Sequence, residues 1–170
     1  GMSRDEAHDK VRRWVTESEA SGVAWNVSID EPGNAAIGVS TDDVDGNYNH
    51  DEAREVLWAT LMMGGDGIEW YFGYQEPNDD LDCEDWRSRS NVWAFTGHAM
   101  DFFSTYMPMF QTEVLSPENA TEVYVLGAPD LAYAVYMVNG AREDLDLSGA
   151  SGNFEVKWYD PRNGGALQDG

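Results

Sequence analysis

Two adjacent carboxylates, Asp30 and Glu31, stand where an alternating apolar run gives way to Pro32 and Gly33. Val23, Trp25, Val27 and Ile29 alternate with Ala24, Asn26, Ser28 and Asp30, which is the period of a strand, and Glu31-Pro32-Gly33 must end it. The C-terminal end of a strand is where barrels of alternating strands and helices carry catalytic groups, and a carboxylate there serves as nucleophile or general base. The same position suits a polar loop residue or a cap on a neighbouring helix, and spacing alone does not choose between the two. Asp30 has the opposite parity to the apolar stripe, so it either faces a barrel interior or orients Glu31.

A third acid, Glu69, lies inside the aromatic run Ile68-Glu69-Trp70-Tyr71-Phe72-Gly73-Tyr74, which reads as a second strand. A charge within such a strand is costly unless paired or hydrogen-bonded, so function or a buried ion pair must account for it. Trp70, Tyr71 and Tyr74 offer flat apolar faces with polar edges, the kind of surface on which a sugar ring stacks. Core packing explains Trp70 equally well and is the reading for Phe72. Asp42, Asp43 and Asp45 in one loop, and Asp79, Asp80, Asp82, Glu84 and Asp85 in another, supply oxygen ligands of the kind calcium takes. Tyr48 stands where an EF-hand loop requires glycine, and no metal is expected. Arg87 and Arg89 are expected to pair with the second acidic loop and pin it. Cys83 lies between Asp82 and Glu84, whose charge disfavours a thiolate. With one cysteine and the scattered His8, His50 and His98, the chain has neither a disulfide nor a zinc pattern, and no cofactor is expected.

Helices and strands alternate through the first two thirds of the chain. Ser3 and Glu6 form a capping box ahead of Ala7, Val11, Trp14 and Val15 on one helical stripe, and Gly22 stops it. A second helix is predicted over 51–63, with Val56, Leu57, Thr60 and Leu61 facing inward, and a third over 91–106, with Val92, Phe95, Ala99, Phe102 and Tyr106. The order α, β, α, β, α implies parallel βα units, in a doubly wound sheet or part of a (β/α)₈ barrel. After Met107-Pro108 the pattern becomes all-β, with short strands over 122–126, 131–138, 145–147 and 154–159. Ala128-Pro129-Asp130 and Asn139-Gly140 mark antiparallel hairpins of a sandwich. The boundary is expected at 108–117, dividing an α/β part, 1–110, from an all-β part, 111–170. Two βα units are too few to close a barrel, so both chain ends are expected to lie inside domains.

The 170 residues include 32 acidic and 10 basic side chains, a formal charge of -22. Such a surface repels phosphate backbones and anionic bilayers, which excludes nucleic acid and membrane surfaces as partners. Seven Trp, eight Tyr and six Phe argue for a folded core. Lys10 and Lys157 are the only lysines, and a Lys-poor, Asp-rich surface stays hydrated in salt, which fits a marine or salt-tolerant source. No apolar run is long enough to span a bilayer, and the N-terminus lacks a secretory signal pattern.

Residues 67–89, GIEWYFGYQEPNDDLDCEDWRSR, resemble the end of the barrel in apiosidase-like glycoside hydrolases, whose C-terminal module is often labelled collagen-binding. WNVSIDEPG (25–33) and HDEAREVLWATLMMGG (50–65) resemble the family's seventh strand and following helix, and AYAVYMVNG (132–140) with LDLSGASGNFEVKWYDPRNGGAL (145–167) its β-sandwich. The resemblance implies a secreted or periplasmic retaining glycosidase acting on polysaccharide, with Glu31 at the nucleophile position. Asp30, Glu69, Trp70, Tyr71 and Tyr74 are then the substrate-binding candidates. The acid/base partner and the family's final sandwich strands have no counterpart here. The expectation is therefore an incomplete (β/α)₈ barrel segment followed by an antiparallel β-sandwich module, inactive on its own. Open sheet edges and barrel faces should drive homo-oligomer formation. The alternatives are a polysaccharide- or collagen-binding module without turnover, or a self-assembling structural protein.

Overall fold

Three amphipathic stripes become three helices. In the computed structural model, which describes residues 1–44, 50–74, 86–117, 120–140, 142 and 144–170, α1 spans Arg4–Ser21, α2 His50–Met62 and α3 Ser90–Tyr106. The capping box is present: the Ser3 hydroxyl accepts from the Glu6 N–H, and the Glu6 carboxylate accepts from the Ser3 N–H at 2.8 Å. Gly22 ends α1 with φ 70°, the left-handed turn that glycine adopts at least cost. Among the described residues no helix is long and apolar enough to cross a membrane.

Strands β1, Ser28–Asp30, and β2, Gly67–Glu69, pair in parallel, with Ile29 opposite Ile68 and Asp30 opposite Glu69. Parallel neighbours need a crossover connection, and α2 lies on it. β1 is shorter than its alternating pattern predicts, and Val23 and Trp25 are exposed. The physical reason is local. The Ser18 hydroxyl donates to the Val23 carbonyl at 3.0 Å and accepts from the Trp25 N–H at 2.9 Å, tying this segment to the end of α1. β2 is shortened as well, because residues 70–74 leave the strand pair and bond to the turn at 34–39: the Val39 N–H donates to Tyr71 O at 2.8 Å and the Tyr74 N–H to Ala36 O at 2.9 Å.

The remaining strands are antiparallel. β3, Glu113–Val114, β4, Val123–Ala128, and β5, Ala132–Met137, form one sheet in that order, and β6, Lys157–Trp158, pairs with β7, Gln168–Asp169. The predicted strand at 145–147 does not form, and 154–159 yields only β6. The chain is thus mixed α/β. Two parallel strands do not define a barrel wall, and the two antiparallel sheets do not define a sandwich.

One cluster of buried side chains runs from Ala7 and Val11 of α1 through Val56, Leu57 and Met62 of α2 to Tyr124, Leu126 and Tyr136 of β4 and β5. The core therefore continues across 108–117. Trp58 is its centre, stacked on Tyr136 at 5.2 Å and flanked by Phe102 and Phe103 of α3 and by Tyr159 near the C-terminus. The Tyr159 hydroxyl donates to the His98 carbonyl at 2.7 Å, and Arg162 lies 3.3 Å from Asp51, so the C-terminal segment is latched across α2 and α3.

Candidate carboxylate site

The parallel register ends β1 and β2 at the same level and brings Asp30, Glu31 and Glu69 together. Asp30 is the register partner of Glu69. Partners on parallel strands share a face, so both acids lie on the face opposite Ile29 and Ile68, away from the core. Asp30, Glu31 and Glu69 are all exposed. Glu69 is therefore not a charge held within an apolar strand, as its aromatic neighbours suggested. A short strand with one open face sends alternate residues to solvent.

Glu31 follows β1 directly, and its N–H donates to the Glu69 carbonyl at 3.0 Å. Its φ of 53° is in the left-handed region, which costs a residue with a Cβ about 1–2 kcal/mol. Pro32 after it is buried. This turn sends the chain into 34–39, which lies against 70–74 backbone to backbone. A Cβ on Gly38 would overlap Tyr71 O and sit 2.6 Å from Gly73 N, and a Cβ on Gly73 would sit 2.5 Å from Ile37 C.

Arg89 bridges these two segments. Fully buried, it donates from Nε to Val39 O at 2.8 Å and from Nη2 to Phe72 O at 3.2 Å, with its guanidinium 4.5 Å from the Phe72 ring centre. The sequence pointed Arg89 only toward the acidic loop, and missed this role; a cation shortly after an aromatic strand was the available signal. Asp45, Asn47, Tyr48, Asp79, Asp80, Asp82, Cys83, Glu84 and Asp85 lie outside the described residues. Of the remaining acids, Asp42 accepts from the Asn91 N–H at 3.2 Å and so ties its segment to the first turn of α3, while Asp43 accepts from the Thr41 hydroxyl at 2.7 Å within a local turn. No group of three or more metal-ligating side chains occurs among the described residues.

The aromatic candidates divide. Trp70 donates from its indole to the Thr96 hydroxyl at 2.9 Å and packs against the core, which favours its structural reading. The Tyr71 hydroxyl donates to Ala35 O at 2.9 Å, and Phe72 meets Trp93 edge-on. Tyr74 is 56% exposed and presents the open ring of the set. The histidines stand elsewhere. His8 is buried and stacked on Tyr124 at 5.1 Å, His50 bonds Ser40 O at 2.8 Å, and the His98 carbonyl holds Tyr159. Desolvation pushes the Tyr124 phenol up to about 12.

Two open grooves lie away from these acids. One of about 400 Å³ is lined by Arg4, Asp5, Glu52 and Glu55, and one of about 570 Å³ by Leu115, Glu122, Val123 and Arg142. The fold and site together define a mixed α/β protein with exposed carboxylates at the ends of a parallel strand pair, whose following segments cross at two glycines and are bridged by a buried arginine. The chain matches no protein-family model, and neither a curated protein nor a solved structure shows significant similarity to it.

Proposed function

We propose that this chain forms the nucleophile-bearing end of a retaining glycoside hydrolase acting on polysaccharide, and that the chain alone does not turn its substrate over. The observation that carries the reading is Glu31. It follows a parallel strand directly, in a left-handed backbone pinned by the Glu69 carbonyl, with Asp30 and Glu69 on the same open face. Backbone strain at a residue with a Cβ concentrates at functional sites. The WNVSIDEPG and EWYFGY segments, similar to those of apiosidase-like hydrolases, support the same assignment.

In the retaining reaction the Glu31 carboxylate attacks the anomeric carbon and forms a glycosyl ester, while a second carboxyl group protonates the departing oxygen. That proton donor belongs, on this reading, to another strand of the same barrel. Its absence removes a contribution of about 10²–10⁴ in rate. Tyr74 stacks on the sugar, and Asp30 and Glu69 accept from its hydroxyls. The formal charge of -22 favours a neutral polysaccharide over an anionic one. A secreted or periplasmic setting goes with such a substrate.

A 2-deoxy-2-fluoro glycosyl fluoride tests Glu31 without the missing acid, since fluoride departs unprotonated. The Glu31 oxygen forms a bond to the anomeric carbon, the carbon–fluorine bond breaks, and fluoride leaves. With a panel of pyranosyl and furanosyl donors, intact mass should show one added glycosyl group, mapped by peptide analysis to Glu31 and missing in Glu31→Gln. No adduct with any donor, or an adduct on a different residue, refutes the assignment.

A further inference from the structure

Eight successive residues, 151–158, are exposed, and three of them are large and apolar. Phe154 is 36%, Val156 67% and Trp158 52% exposed. They alternate with Glu155 and Lys157, so in extended chain they share one face while the two charges share the other. β6 has β7 as its one neighbour among the described residues. The Gly170 N–H donates to Val156 O at 3.0 Å, which turns the Val156 backbone toward β7. By the alternation of backbone groups along a strand, those of Glu155 and Lys157 point to the opposite, open edge.

We propose that this edge pairs with the same edge of a second copy, antiparallel and two-fold about Val156. The segment Phe154-Glu155-Val156-Lys157-Trp158 is complementary to itself in that register. Glu155 faces Lys157 of the second copy and Lys157 faces its Glu155. Phe154 falls opposite Trp158 of the other copy, and the two valines meet on the axis. The backbone parity agrees. Glu155 and Lys157 form the hydrogen-bonded pairs, and Phe154 and Trp158 the closer non-hydrogen-bonded pairs where side chains make most contact. Cross-strand aromatic and opposite-charge pairs are the units that stabilise such a ladder.

Charge selects the partner. A protein of net charge -22 repels its own copies almost everywhere, and Lys157 is one of only two lysines in the chain. Within one protomer Lys157 sits 3.2 Å from Glu155 and 2.6 Å from Asp169. The two-fold register adds the other copy's Glu155 to this group and joins two small apolar strips into one. The contact is shorter than a standard interface, so the dimer is expected to dissociate in the micromolar range. This inference stands apart from the hydrolase reading.

Sedimentation velocity on the intact chain, over about 5–500 μM in about 0.15 M salt where charges are screened beyond about 8 Å, reads the association. Wild type should pass from monomer to dimer. Lys157→Glu sets Glu against Glu155 twice, Glu155→Lys sets Lys against Lys157 twice, and each should weaken the dimer at least about tenfold. The double variant Glu155→Lys/Lys157→Glu reverses both charges and should restore it. The two single variants, each monomeric alone, should form a heterodimer when mixed, which also proves that both are folded. A wild type that stays monomeric at the highest concentration overturns the proposal. So does a dimer that ignores the single swaps, or single variants that fail to pair with each other.

Discussion

Replacing Gly38 by alanine tests the crossing of the segments that follow the carboxylate-bearing strands. The added Cβ would overlap the Tyr71 carbonyl and lie 2.6 Å from both Gly73 N and Phe72 C. These are backbone atoms, so no rotamer relieves the clash, and the 34–39 turn must part from 70–74. Alanine at the native φ of 61° costs about 1–2 kcal/mol. Parting the segments also forfeits the bonds from the Val39 and Tyr74 amides and strains the Arg89 bridge, at about 1 kcal/mol for each bond. The expected loss is about 3–5 kcal/mol, or a fall in melting temperature of about 6–20 °C for a chain of this size. Urea unfolding followed by circular dichroism measures the total, and amide exchange at Val39 and Tyr74 reports the crossing itself. Gly67→Ala is the control. No atom lies within 4 Å of its added Cβ, so it should stay within about 0.5 kcal/mol of wild type. If Gly38→Ala unfolds at the same urea concentration as Gly67→Ala and both amides keep their protection, the crossing is not as described.

Trp58→Ala should destabilise the chain by about 3–5 kcal/mol in the same urea assay, because the indole is buried among rings from α3, β5 and the C-terminal segment. A loss under about 1 kcal/mol would mean that these elements do not share a core. Tyr124 contributes a pH dependence. Its phenol is raised from 10.0 to about 12 by burial, so its contribution to stability is full below pH 10.0 and is lost as pH climbs toward about 12. Phenolate absorbance should show late-titrating tyrosine in the folded protein, and Tyr124→Phe should remove one phenol from that class. Titration of all eight tyrosines together near their ordinary value would refute the burial.

What was legible in the sequence was whatever depends on neighbours within one or two turns. The Ser3–Glu6 capping box, the Gly22 stop and the helix stripes rest on spacings of three and four residues. The structure has both ends of α1 and the whole α2 stripe as expected, but it leaves Trp14 of the α1 stripe exposed and Phe95, Phe102 and Tyr106 of the α3 stripe half-buried, with Phe103 buried instead. The β4–β5 hairpin likewise forms around Ala128-Pro129-Asp130. Strand extent was not legible. A period of two permits a ladder, but a ladder also needs a partner. Val23 and Trp25 find Ser18 instead, while residues 70–74 find the turn at 34–39. The same limit governs the candidate site. Sequence alone set Asp30 and Glu31 at a strand end. Only the parallel register put Glu69 beside Asp30 on an open face, and only the glycine crossing allowed Arg89 to reach two carbonyls at once. Those contacts join residues far apart in the chain, so their energy enters only when the whole molecule has folded.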